Sequence, residues 1–375
     1  MERFAARERS PLFRDHFKLA LFASNMRGGL AITNAPDRHE PTWESNVRLV
    51  KMLDDNGYEA FINVAQWKGF GGDGYWDASL EPCMLSAGLA ALTKHTALVA
   101  TMQATSTTPY FMAKQMATLD QISGGRAALN VVAGWRPEES ALFDAPWLEH
   151  EDRYQHLTEW VEIAKAVWTN DEPIDYDGKW FHTKGAIGLP KPVQSPYPPL
   201  INAAQSPRGR QFASKHADIM FVTSDDLETG AAQVKEVREL ARGHGREVQV
   251  LNSVTIVSAP TEKEAREDWD FHVVKHGDRV AGKNAMDLLF GNTQIWSQES
   301  DIWAAMDRFL GGLGTMPIIG TPEQVVEVLR QMDAAGYDGT SLSFFDFEKG
   351  LRQFTDDILP LMEQAGLRKP FQPSA

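Results

Sequence analysis

Between Thr101 and Trp135 the chain reads TMQATSTTPYFMAKQMATLDQISGGRAALNVVAGW, and this stretch constrains the fold more than any other. Pro109 suits a first helical position. Phe111, Met112, Met116, Leu119 and Ile122 recur at helical spacing, and Gly124-Gly125 supplies a stop. Arg126 to Val132 follows as a short, mostly apolar run, the pattern of a strand covered on both faces. A strand, a helix and a second strand in that order make two parallel strands, because the helix carries the chain back to the starting end. Thr101 and Asn130 then stand as small polar groups near the C-terminal ends of those strands, where a (β/α)8 barrel keeps its chemistry.

The same alternation runs along the chain. Strands are predicted to start at Phe17, Glu59, Ala97, Arg126, Leu200, Asp218, Val248 and Thr340, nearly all separated by helical segments. Eight such units favour a closed (β/α)8 TIM barrel, class α/β, over an open doubly wound sheet. Helices are expected from about Trp43 to Asp55, with Trp43, Val47, Val50 and Leu53 on one face, and from Glu81 to Thr93, Asp152 to Trp168 and Leu227 to Arg242. Thr261-x-x-Glu264 and Thr321-Pro322-Glu323-Gln324 read as capping boxes, and IDYDGKWFHTKG as a hairpin turning at Asp177-Gly178. The glycine-rich VAQWKGFGGDGYW lacks both the GK[ST] ending of a P-loop and the GxGxxG spacing of a dinucleotide turn, so it reads as a flexible active-site loop. Residues 1–375 read as a single barrel domain with one irregularity, the segment His276 to Pro317. There Phe290, Trp296, Trp303, Phe309 and a GGLG occupy a place where a barrel needs only a short connection, so a lid or a subunit interface is expected.

Composition narrows the function. Against 37 Lys and Arg stand 51 Asp and Glu, a net charge of -14, without the basic cluster that tracks a phosphate backbone. No nucleic-acid partner is expected. Cys83 is the only cysteine, which excludes an intrachain disulfide and leaves a cysteine-based metal site without support. No apolar leader and no run of membrane-spanning length stands out, so the expected location is the cytoplasm, with no membrane partner. The histidines lack an HExxH pattern and there is no GxSxG elbow, so neither a metal site nor a nucleophilic serine is predicted.

Two groups of residues could carry chemistry. Arg153 and Tyr154 near one helix start, and Ser206 at another, suit an anion held by free backbone N-H groups, or else are a surface arginine and two helix caps. Thr101 offers a hydroxyl and Asn130 an amide from neighbouring strands, and Trp135 follows at the strand end.

The run ATLDQISGGRAALNVVAGW, with PWLEHEDRY after it, resembles the bacterial luciferase-like flavin monooxygenases, in the branch that holds pyrimidine, dimethyl sulfone and alkanesulfonate monooxygenases. The resemblance extends from about Phe17 to Leu361 and is strongest between Thr101 and Ser206. It implies a two-component enzyme in which FMNH2 from a separate NAD(P)H:flavin reductase reacts with O2 and a small organic substrate through an N5- or C4a-peroxide. By the same match Ala65, Gln66, Asn130, Glu139, Arg153, Tyr154 and Ser206 are expected at the FMN, and Thr101, Asn130 and Trp135 at the reacting centre. A homodimer or homotetramer is implied as well. The alternatives are a deazaflavin-dependent oxidoreductase of the same superfamily and a flavin-binding relative without catalysis. One departure stands out: Asn252, Val254 and Leu310 lie near positions where the sulfonate enzymes carry an Arg, a His and another Arg. A mostly neutral substrate is therefore expected.

Overall fold

A computed structural model describes residues 4–203, 206–224, 226–290 and 299–372, apart from the side chains of 290 and 299–304. The strands are β1 (Lys18–Phe22), β2 (Ala60–Asn63), β3 (Ala97–Gln103), β4 (Ala127–Val132), β5 (Leu200–Asn202), β6 (Ile219–Phe221), β7 (Gln249–Ser258) and β8 (Gly339–Ser343). All pair in parallel, and β8 returns to β1 while β6 pairs with both β5 and β7, so the sheet closes on itself. A helix follows each: α1 (Trp43–Asp55), α2 (Pro82–Ala90), α3 (Pro109–Ser123), α4 (His150–Thr169), α5 (Pro207–His216), α6 (Leu227–Gly243), α7 (Pro322–Ala334) and α8 (Phe347–Gln353).

The registers fix the stagger. Paired residues lead from Thr101 through Asn130, Ile201 and Ile219 to Gln249 on β7. In the other direction they lead from Leu98, three residues earlier, through Phe61, Leu21 and Leu342 to Val254. From a common start at Thr101 the two routes reach β7 about eight residues apart, the shear of a (β/α)8 barrel.

Side-chain alternation then divides the core. Leu19, Leu21, Phe61, Leu98, Leu129, Met220, Val254 and Leu342 point outward and join the helices in one large cluster. Ala20, Ala60, Ile62, Val99, Ala128, Ile201, Ile219 and Leu251 fill the lower interior. Phe22 and Phe221 stack across it with ring centroids 6.4 Å apart, and Phe22 borders both this interior cluster and a third one above it.

Local signals account for the elements. Thr108 caps α3 by accepting from Phe111 N, Pro109 takes the first turn, and Gly124 ends the helix at φ 67. Its buried face is Met112, Met116 and Leu119, whereas Phe111 and Ile122 are exposed, because the sheet covers a narrower arc than the apolar spacing suggested. On α1 the buried apolar residues are Leu49, Val50 and Leu53; Trp43 is exposed at the first turn. Both capping boxes form, and the hairpin pairs Ile174–Asp177 with His182–Ala186. The strand Met316–Gly320 was not legible as a strand. It pairs with Val254–Ser258 of β7, on the edge that β6 occupies lower down, because β8 already holds the other edge. The GGLG preceding it is no loop at its start: helix Glu299–Gly312 runs into it.

Among the described residues no helix is long and apolar enough to cross a membrane, and no group of three potential metal ligands occurs.

Candidate active site

On β3 and β4 the inward residues towards the C-terminal strand ends are Thr101, Gln103, Asn130 and Val132, since Val99 and Ala128 below them face the interior. Thr101 and Asn130 are register partners, and Asn130 Nδ2 donates to Thr101 Oγ1 at 3.0 Å. Both are buried, and Asn130 Oδ1 has no hydrogen-bond partner. An amide with one half satisfied and the other buried and bare calls for an N-H or O-H donor from outside the chain.

Gln103 lies two residues past Thr101 and so on the same face, a period-two signal that sequence reasoning passed over. Its Nε2 donates to Glu139 Oε2 at 2.9 Å and to Ala65 O at 3.4 Å. Glu139, almost fully buried in the short helix Pro137–Leu142, also accepts at Oε1 from Trp67 N (2.9 Å) and Lys68 N (3.2 Å). Its carboxylate therefore shapes the loop after β2. Arg136 grips the same loop, donating to Lys68 O and to Gly69 O (3.0 Å), with its guanidinium 4.6 Å over Phe70 and 5.7 Å from Trp135. Trp135 packs beside Phe70, ring centroids 5.9 Å apart. Gln66 is buried, with Nε2 donating to Lys68 O at 2.6 Å and Oε1 unpartnered.

The glycine-rich loop is held, not flexible. Gly71, Gly72 and Gly74 adopt φ of 75, 67 and 89, so they supply left-handed turns. Asp73 N donates to Asp278 Oδ2 at 2.7 Å, Asn34 and Arg38 bind Asp73, and Tyr75 and Trp76 are buried.

A third cluster forms where α4 meets α5. Trp160 Nε1 donates to Thr107 O and Trp168 Nε1 to Ala113 O, which pins α4 against α3 and sets its first turn. The Tyr154 phenol faces Ser206, and burial pushes it up. Ser206 caps α5, accepting from Gly209 N at 3.1 Å. Arg153 stacks 4.3 Å over Trp147 and donates to Leu148 O at 2.7 Å, while Arg208 pairs with Glu151 at 3.1 Å. The structure thus brings Tyr154 to Ser206, Thr101 to Asn130, and, through Gln103, Ala65 to Glu139.

The opposite wall is polar but uncharged. Asn252 and Val254 turn out to face the helical layer, Val254 in its core, because Leu251 between the interior residues sets the parity of β7. Ser253 and Thr255 face inward instead, with Ser341 and Ser343 beside them on β8. Leu310 is buried on helix Glu299–Gly312, packed with Met26, Leu30 and Ile32.

The model of the luciferase-like monooxygenase family matches residues 22–339. The chain belongs to that family. The FMNH2-dependent dimethylsulfone monooxygenase of Pseudomonas putida is 28% identical over 356 residues, covering 92% of this chain and 95% of that protein. A pyrimidine monooxygenase of Acinetobacter baylyi is 30% identical over 347 residues, covering 89% and 91%. Among solved structures, a riboflavin lyase with modified FMN and riboflavin superposes with a TM-score of 0.85 at 22% identity, covering 96% of this chain and 94% of that one, a likeness of fold. A luciferase-like monooxygenase with this barrel is a flavin-dependent enzyme.

Proposed function

We propose that the chain is the oxygenating component of a two-component system: it takes FMNH2 from a separate NAD(P)H:flavin reductase and, with O2, oxygenates a small, mostly neutral organic compound. The observation that carries this reading is the buried Asn130 amide, tied to Thr101 at one end and bare at Oδ1. Reduced flavin carries ring N-H donors that suit such an acceptor. When bound, FMNH2 supplies the electrons that activate dioxygen; the protein supplies position, dryness and hydrogen bonds.

The residues divide the work. Thr101 and Asn130 hold the reacting end, and Trp135 with Phe70 walls it against water. Ala65 and Gln66 line the ring through a loop that Glu139, Gln103 and Arg136 keep in shape. The phosphate belongs at the N-terminus of α5, where Ser206, the Tyr154 phenol and the Arg153 guanidinium offer donors and positive charge. The described part of segment 276–317 closes the mouth: Met306, Phe309 and Leu310 are buried with Phe70, Tyr75, Trp76 and the inward strand ends Val257 and Phe345. Trp296 lies outside the described residues, as do the side chains of Phe290 and Trp303.

The test is oxygen incorporation. Purified protein, a generic flavin reductase, NADH and FMN under 18O2 are given a panel of sulfones, pyrimidines, amides and haloaromatics, and products are weighed by mass spectrometry. A product heavier by one labelled oxygen is the expected result. Turnover that needs a reduced deazaflavin and no oxygen would refute the reading.

A further inference from the structure

We infer that Ser253, Ser341 and Ser343 form the substrate-recognition wall, selecting a compact uncharged molecule that presents a polarised X=O oxygen, a carbonyl or a sulfonyl. This rests on the oxygenase reading above and deepens it.

Position comes first. Strand β7 stands four strands from β3 whichever way the ring is followed, so it is the strand diametrically opposite Thr101. The registers from Thr101 lead to Gln249 by one route and to about Val257 by the other, and Ser253 lies midway, hence level with Thr101 across the barrel. Ser341 is its register partner on β8, and Ser343 stands one step higher on the same face. By the same registers Phe22 is level with Thr101 and Ser253, and Phe221 stands about one residue lower, so the stacked pair floors the barrel at this level. A ligand would lie above that floor, where Ser343 stands one step higher.

The hydroxyls are poised for an acceptor. Ser253 Oγ and Ser341 Oγ are 2.7 Å apart, so one donates to the other and the second keeps its proton for a third group. Ser343 is 1% exposed and its Oγ has no partner, whereas Thr255 beside it is already bonded to Thr315 at 3.1 Å. A buried hydroxyl left bare is costly, and a ligand oxygen satisfies it. None of these inward strand residues carries a charge. A sulfonate would lie there without a cation, and an alkane would leave the hydroxyls unpaired.

The experiment uses the FMN-loaded protein with flavin reductase and four probes: uracil, dimethylsulfone, n-hexane and methanesulfonate. Binding is read by saturation-transfer NMR and turnover by product mass. The expected result is binding and oxygenation of uracil or dimethylsulfone alone, the active arm telling which oxygen is taken, with KM raised at least tenfold in Ser343→Ala and in Ser341→Ala. The FMN dissociation constant and the unfolding midpoint should stay put. Ser343→Cys, close in size and a poor donor, gives the same readout if alanine disturbs folding. An unmoved KM in these variants, equal use of hexane or methanesulfonate, or binding of no probe by protein that holds FMN and consumes oxygen overturns the wall assignment. Failure to hold FMN, or to consume oxygen with FMNH2, would instead sink the oxygenase reading itself.

Discussion

Asn130 and Arg153 act at opposite ends of the proposed flavin site, and their variants should fail differently. Removing the Asn130 amide in Asn130→Ala deletes the group that links Thr101 to the bound ring. Oxygen-dependent turnover should fall by about tenfold or more while FMN affinity changes by no more than ~1.5 kcal/mol, the worth of one neutral hydrogen bond. Stopped-flow reaction of the FMNH2-loaded variant with oxygen, beside an FMN titration, separates the two quantities. Arg153→Ala should weaken FMN by about 1.5 to 3 kcal/mol, the range for a hydrogen bond to a charged group, and hardly touch riboflavin. Equal losses for both ligands would make Arg153 a structural residue that serves Trp147 and Leu148 only. Arg126 of the SGGR motif shows the other kind of legibility. Its guanidinium donates to Ser123 O, Thr93 Oγ1, Thr96 O, Ala90 O and Thr93 O, a knot at the N-terminal side of the barrel, so the motif that stands out most in the sequence is structural and lies away from the mouth.

At the scale of elements, strand parity and loop anchoring decide what local patterns leave open. The glycine-rich loop after β2 reads as mobile because glycine is permissive, yet each left-handed φ there serves a fixed turn. At Gly72 an added Cβ would stand 2.2 Å from Asp278 Oδ2, the atom that receives Asp73 N. Gly72→Ala therefore strains the backbone and breaks that contact together, a loss of roughly 1 to 3 kcal/mol in unfolding free energy. Because Asp278 belongs to segment 276–317, the same variant should divert reduced flavin to hydrogen peroxide, measured as the ratio of product to peroxide. An unchanged ratio at full FMN occupancy counts against closure by that segment. Parity had a similar effect on β7: LNSVTIV names the strand, but only its register shows that Ser253 and Thr255, not Asn252 and Val254, look into the barrel.

For the molecule as a whole, the end opposite the chemistry is locked by charge. Glu59 is fully buried between β1 and β2 and meets Arg368 of the C-terminal tail at 2.6 and 3.0 Å, Arg14 at 3.3 Å, His16 at 2.8 Å and Leu19 N at 2.8 Å. Burial alone would push this carboxyl up, but Arg368 and His16 more than reverse that and hold it at about 2 against an ordinary 4.5. A depressed folded-state value contributes stability that is complete above about pH 4.5 and is lost as pH falls toward 2. Glu59→Gln should thus be markedly less stable than the parent at pH 7, with the gap between them narrowing as pH drops through that window. Urea midpoints at pH 7, 4 and 3 measure it, and a gap independent of pH would assign the loss to packing instead. Arg368→Met leaves a buried carboxylate without its main partner and should cost about 3 to 5 kcal/mol.

Eight strand starts to within one residue, most helix limits, both capping boxes and the motif that marks the family are legible in the residues alone, because each is written in contacts a few residues apart: apolar period, caps, glycine stops. The alternation also puts Thr101 and Asn130 near the C-terminal ends of neighbouring strands, while their pairing and hydrogen bond come from the fold. The three-dimensional fold supplies the rest: which face of β7 meets the interior, that Met316–Gly320 extends the wall above β6, that Gln103 and Glu139 brace the loop at Ala65, and that Tyr154 faces Ser206. These depend on register around a closed ring and on hydrogen bonds between residues far apart in the chain, and neither the stagger of eight strands nor the partner of a buried amide has any local signature.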